Sequence, residues 1–278
     1  MEKKVQRLII EPGRVEKNYW LDLLVFKNLF YILSWRDIKV RYKQTVIGTL
    51  WAIIRPFLTM IVFTVVFGRV AGLKTEGTAP YALMVLAGLL PWQFFSIAFS
   101  NASESLVVNA NLLSKVYFPR LIVPASAVIT SLVDFLISFV ILIGLMIYYH
   151  YAPNWNILLI PVFTLIAFAQ SFAFGLYLAA LNVKYRDFRY VIPFIVQIGL
   201  YVSPVGFSSS VIPEKWKLYY YLNPVVSVID GFRWCIIGNG AANPFTAYFV
   251  LSMSITIIML IYAVYKFRKM EKTFADLI

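Results

Sequence analysis

Apolar runs long enough to cross a lipid bilayer recur six times along this 278-residue chain, at 47–67, 81–101, 121–148, 157–181, 191–207 and 245–267. A helix needs about 20 residues to span the hydrocarbon layer. Inside that layer every backbone N–H and C=O must find a partner within the protein, which makes such runs helical. The expectation is an all-α integral membrane protein with six spans. Composition argues the same way. Only 14% of residues are charged, against about 25% in soluble domains, so a soluble fold of this length would lack the polar surface to cover its core. The fifth run is the shortest and carries Gly199, Pro204 and Gly206, which predicts a break near its outer end.

The formal net charge of +12 would suggest nucleic acid in a soluble protein, but the positions of the charges point to lipid headgroups instead. Nineteen Lys and Arg fall in the segment 1–46, the 2–3 and 4–5 connections and the tail 268–278 with its approach, whereas five fall on the other side and Arg55 lies within the first span. Basic residues accumulate on the cytoplasmic side, so both termini are expected there, which requires an even number of spans. Trp51, Tyr117, Phe118 and Tyr190 sit near inner boundaries, and Tyr148, Tyr149, Tyr151 and Trp155 near an outer one, as aromatic belts do. His150, in that outer link, reads as an interfacial polar group. The first fifteen residues hold only a short apolar cluster before Glu11 and Pro12, unlike a cleaved signal peptide.

Two segments outside the spans carry their own patterns. Residues 1–18 are polar and read as a cytoplasmic arm. From Tyr19 to Tyr42, Leu21, Val25, Leu29 and Ile32 recur at helical spacing among Lys27, Arg36 and Lys39; this predicts an amphipathic helix in the inner interface or packed on a partner. Between the fifth and sixth spans, 207–245 is apolar but interrupted by Pro213, Pro224, Asp230 and Arg233. Short amphipathic or re-entrant helices at the outer face are expected, either as the lip of a path or as a packing cap.

No GxxxxGK[ST] loop is present to cradle nucleotide phosphates, no HExxH or cysteine pair suggests zinc, and no GxSxG elbow suggests a serine nucleophile. Cys235 is the single cysteine, so an intrachain disulfide is excluded. Neither a catalytic residue nor a cofactor or metal site of its own is expected. Ionisable groups at membrane depth are costly and therefore informative. Arg55 and Glu104 fall at similar depth, which permits an ion pair; contact with an anionic headgroup is the other reading of Arg55. Asp134 lies deep in the third span, about 20 Å from its start at about 1.5 Å per residue. It either bonds Ser131, Ser138 or a group on another helix, or lines a path. The 23 Phe, 18 Tyr and 7 Trp could offer faces to sugar rings; Tyr219, Tyr220 and Tyr221 are candidates at the exit, although their spacing places them on different helical faces.

Five segments carry a resemblance: RDIKVRYKQTVIGTLWAIIRPFLTMIVFTVVF from Arg36 to Phe67, GLLPWQFFS at 88–96, NANLLSKVYFPR at 109–120, LNVKYRDFRYVIPF at 181–194 and NPVVSVIDGFRW at 223–234. In order and position they resemble the permease subunits of ABC-2-type exporters of lipid-linked polysaccharide, in the O-antigen, capsule and teichoic-acid group. The resemblance implies six membrane helices, an amphipathic helix before the first and external helices before the last. It implies two permease copies with two cytoplasmic ABC ATPase subunits, which bind ATP and magnesium, and a polymer carried on polyprenyl diphosphate in the bacterial cytoplasmic membrane. It makes Asn109, Asn111, Lys115, Tyr117 and Arg120 the ATPase-coupling candidates. Lys184, Arg186 and Arg189 join Arg55 as candidates at the cytoplasmic entrance. A permease for drugs or small lipids, and a scaffold for glycan-synthesising enzymes, are the alternative readings. A single 31.9 kDa bundle has few helices to enclose a polymer, whereas a symmetric pair can enclose one at its seam.

Overall fold

The computed structural model describes residues 19–43, 48–185, 187–271 and 274; the expected arm 1–18, Arg186 and most of the tail beyond 271 lie outside them. Among the described residues the chain is helical, without strands. Two helices precede the first apolar run, α1 (Tyr19–Val25) and α2 (Lys27–Lys43). The first run forms α3 (Gly48–Phe63), continued by a π-helical stretch over Thr64–Val70. Next come α4 (Tyr81–Val108), the short α5 (Ala110–Leu113), α6 (Ile122–Tyr148) and α7 (Ile160–Lys184), the last led in by a 3-10 turn at Trp155–Leu159. The chain ends through α8 (Phe188–Val202), α9 (Glu214–Tyr220), α10 (Val225–Ile237) and α11 (Ala247–Glu271).

Five of these stretches are long and apolar enough to cross a membrane: Leu50–Val70, Tyr81–Val108, Ile122–Tyr148, Trp155–Lys184 and Ala247–Glu271. Two helix ends depart most from the sequence reading. The second run continues seven residues past 101 because SESLVV keeps the helical pattern until Asn109 caps it. The fifth ends at Val202 instead of 207: Ser203 is extended, and Pro204 and Gly206 follow in irregular backbone. That backbone is sheltered by protein, since Ser203 and Val205 are fully buried, which is the condition for non-helical chain at such depth.

The central helix is α4. It packs against α7 and α6 along its length and meets α10, α3 and α8 as well, so most of its residues are buried. A Cβ on Gly175 of α7 would come within 2.6 Å of Ala102, so the close α4–α7 crossing depends on that glycine. The outer connection is less peripheral than expected. Every residue of α10 except Trp234 is buried, and a Cβ on Gly231 would sit 2.1 Å from the Phe163 ring. Thus α10 is a core helix wedged between α4 and α7, whereas α9 stays at the surface with Trp216, Leu218 and Tyr219 exposed.

Buried polar groups join the layers. Gln170 of α7 donates to the Pro224 carbonyl at 3.0 Å and to Thr256 of α11 at 3.3 Å, and Ser227 of α10 donates to Ser252 of α11 at 2.8 Å. In hydrocarbon such bonds contribute about 0.6 kcal/mol each; their larger effect is to fix which faces meet.

Candidate functional site

A cavity of about 760 Å³ opens between α3, α4, α6 and α8 and reaches the end of α2. Its charged lining is Arg41, Arg55 and Asp134, with Gln93, Asn101 and Gln197 supplying amides and Trp51 and Trp92 supplying aromatic faces. Trp51, Arg55 and Thr59 are four residues apart, so α3 presents them on one face.

Local chemistry fixes the cavity walls. Pro56 lies inside α3 and has no N–H, which would leave the Ala52 carbonyl without its helical donor. The Ser138 hydroxyl of α6 lies 2.8 Å from that carbonyl and 2.8 Å from the Asp134 carbonyl of its own helix. A side chain from α6 thus replaces the missing bond and ties α3 to it. On the far wall Asn101 of α4 donates to Ser131 of α6 at 2.9 Å.

Asp134 bonds neither Ser131 nor Ser138 through its carboxylate. One oxygen accepts from Arg41 and the other from Tyr42, both on the last turn of α2. This is the group on another helix that the sequence left open. Tyr42 is therefore an internal partner of α6. The signal was a lone carboxylate in an apolar helix, which requires a cation, and the unclaimed Arg-Tyr pair ahead of the first span supplies one. The Arg55–Glu104 pair does not form: among the described residues Arg55 has no ion pair, and its side chain is exposed toward the cavity.

The same α2 helix reaches the C-terminal end of α4. Arg36 donates to Asn109 at 2.8 Å and pairs with Asp37 at 2.7 Å, while Asn109 donates back to the Ser105 carbonyl at 2.9 Å. Asn109 thereby caps the elbow from which α5 projects. Asn111, Lys115 and Tyr117 are exposed on that elbow. Arg120 faces inward instead. Its backbone N–H donates to a Glu271 carboxylate oxygen at 2.9 Å, its guanidinium donates to the Glu271 carbonyl, and it lies 5.8 Å over the Phe274 ring. Lys184 is exposed with its ammonium 5.0 Å from the Tyr185 ring, and Arg189 is exposed nearby.

At the other end the three tyrosines separate. Tyr219 is 63% exposed beside Trp216. Tyr220 turns its hydroxyl into the protein. Tyr221 donates to Asp230 of α10 at 2.7 Å and stacks on Tyr248 at 5.1 Å. Only Tyr219 presents its ring outward, as the helical spacing anticipated. Glu214 at the start of α9 pairs with Lys217 at 2.6 Å, and that hydrogen bond holds its carboxyl below the usual range. Arg233, counted from sequence among the outer-side charges, is wholly buried. It donates to the Phe207 carbonyl at 2.7 Å and the Val205 carbonyl at 2.9 Å, with Glu76 at 3.5 Å. One cation thus ties α10 to the irregular end of α8 and to the loop before α4.

A family profile described as ABC-2 type transporter matches residues 28–237. The chain is 29% identical over 214 residues to the O-antigen export system permease protein RfbA of Myxococcus xanthus, covering 76% of this chain and 81% of that one. It is 28% identical over 261 residues to the protein of the same name from Klebsiella pneumoniae, covering 94% and 96% respectively. To the polysialic acid transport protein KpsM of Escherichia coli it is 24% identical over 225 residues, or 78% and 85% of the two chains. The profile extends from α2 through α10 and so takes in the cavity, the elbow and the buried helix α10; the chain belongs to the ABC-2 type transporter family of membrane proteins.

Proposed function

We propose that this chain is the membrane subunit of an ATP-driven exporter that moves an O-antigen-like polysaccharide, carried on polyprenyl diphosphate, across the bacterial cytoplasmic membrane. The observation that carries this reading is the nearly end-to-end similarity to a protein named as an O-antigen export permease. Six crossings, with α8 as the short fifth, put both termini in the cytoplasm, in keeping with the basic bias. Two copies work with two cytoplasmic ABC ATPase subunits that bind ATP and magnesium and carry out all the catalysis.

The cavity gives this reading a physical route. It is bounded by α3 and α8, whose apolar faces beside it expose Phe57, Ile61, Phe194, Ile198 and Tyr201. A second copy seated along these faces would turn two half-open cavities into one path at the seam. Asn111, Lys115 and Tyr117 receive the push of the ATPase, and α2 transmits it, because Arg36 holds the elbow and Arg41 holds the cavity wall. Lys184 and Arg189 flank the entrance, with Arg186 of the same sequence segment proposed to act beside them, and Tyr219 stands at the exit.

The test is deletion and complementation in the source bacterium. Loss of the chain should abolish surface polysaccharide while lipid-linked glycan accumulates inside, and the intact chain should restore both. Unchanged surface polysaccharide in the deletion strain would refute the reading.

A further inference from the structure

The three charged side chains of the cavity do not balance. Arg41 and Asp134 neutralise each other, with Tyr42 completing the carboxylate's bonds. Arg55 remains in the same cavity without a carboxylate partner among the described residues. Tyr42 is the other titratable group of the lining. A cation held at membrane depth carries a desolvation cost unless an anion or water meets it, and here the one carboxylate of the walls, Asp134, is already taken by Arg41 and Tyr42. The volume of about 760 Å³ falls in the range of sites that hold small ligands, about 300–1,000 Å³.

We infer that this cavity is a diphosphate site in which Arg55 is the resident cation and Arg41 is a second cation held in reserve by Asp134. An arriving diphosphate takes Arg41 from the carboxylate, so the ligand is clamped between α3 and the end of α2, and Asp134 keeps its bond from Tyr42. The diphosphate, with two or more negative charges, meets two guanidiniums that can each bond it in bidentate fashion, and these bonds offset the cost of leaving Asp134 with Tyr42 as its one donor. Because Arg36 of the same helix holds Asn109 at the elbow, occupancy of the cavity is mechanically linked to the segment proposed to meet the ATPase. The inference rests on the reading of the chain as a carrier of diphosphate-linked lipid, and it names the residues that recognise the headgroup.

The test uses the intact permease with its ATPase in phosphatidylcholine nanodiscs, titrated with a sugar-free polyprenyl diphosphate. R55Q should weaken binding about tenfold or more, as expected for loss of a charge-assisted bond, and R55K should recover part of it, since an ammonium restores the charge but not the bidentate fork. D134N should tighten binding several-fold by releasing Arg41, and adding R41Q should cancel that gain. Misfolding cannot mimic a tightening that a second substitution reverses. Inorganic pyrophosphate should compete, whereas the matched polyprenyl alcohol and phosphatidylglycerol should not. Affinities of R55Q and D134N within twofold of wild type, or equal competition by phosphatidylglycerol, would overturn the inference. If those variants also export polysaccharide normally in cells, the diphosphate site falls while the export reading stands; loss of export reading alone would show as an intact strain phenotype in the deletion.

Discussion

Arg233 shows how one side chain organises a surface that the sequence presents as a loop. It is fully buried, with two carbonyls and Glu76 around it, and removing one partner of a buried pair leaves an uncompensated charge that costs roughly 3 kcal/mol or more. E76Q should therefore destabilise the outer cap by about that amount, and E76Q/R233M should cost less than the two single changes combined. Cys235, the single cysteine and buried two residues away in α10, reports the effect: its labelling by a thiol reagent should speed up in E76Q and slow again in the double variant. A second residue-level expectation concerns Ser138. S138A leaves the Ala52 carbonyl, freed by Pro56, without a donor, so stability should fall by about 1–3 kcal/mol. S138A with P56A should recover part of it, because the alanine restores a backbone N–H; thermal unfolding of the purified protein reads both.

Helix α2 and the elbow after α4 separate two roles that the sequence treated as one. Lys115 is exposed, whereas Arg120 is bound to Glu271. K115E should reduce ATPase association or stimulation with little change in stability. R120E places two carboxylates together and should lower thermal stability before any effect on coupling; co-purification and unfolding temperature, measured on each variant, check the division. The positions of the long helices were legible in the sequence because apolar length in a membrane protein specifies them directly. The ends of α4 and α8 were less so, since SESLVV continues a helix by local pattern while Ser203 to Gly206 is held irregular by its buried surroundings. The partners of Asp134 and Arg233 could not be read at all. Spacing along one helix gives a face, but which other helix meets that face is a tertiary fact. For Asp134 the need of a donor was nevertheless readable from the cost of burying a carboxylate; Arg233, counted among the outer-side charges, carried no such signal.

At the scale of the whole molecule, α4 forms the axis while α3 and α8 leave a cavity with three charged side chains open on one side and apolar faces beside it. The proposed topology makes its own expectation. Single cysteines in place of Lys115 and Lys215 should be labelled from opposite sides of the membrane, Lys115 from the cytoplasm, over the low background of buried Cys235; labelling of both from one side would reject the orientation. Family membership and general architecture followed from the order of the five sequence segments, whereas the half-open shape that motivates a second copy required the packing of α3, α4, α6 and α8 together. The account depends most on the movement of polymer, and proteoliposomes containing the permease and its ATPase measure that directly. Loaded with lipid-linked polysaccharide on the ATPase-facing leaflet, they should expose the glycan to a glycosidase or lectin on the opposite side only when ATP and magnesium are supplied. Glycan that stays inaccessible under ATP turnover, or crosses equally without ATP, would contradict the account.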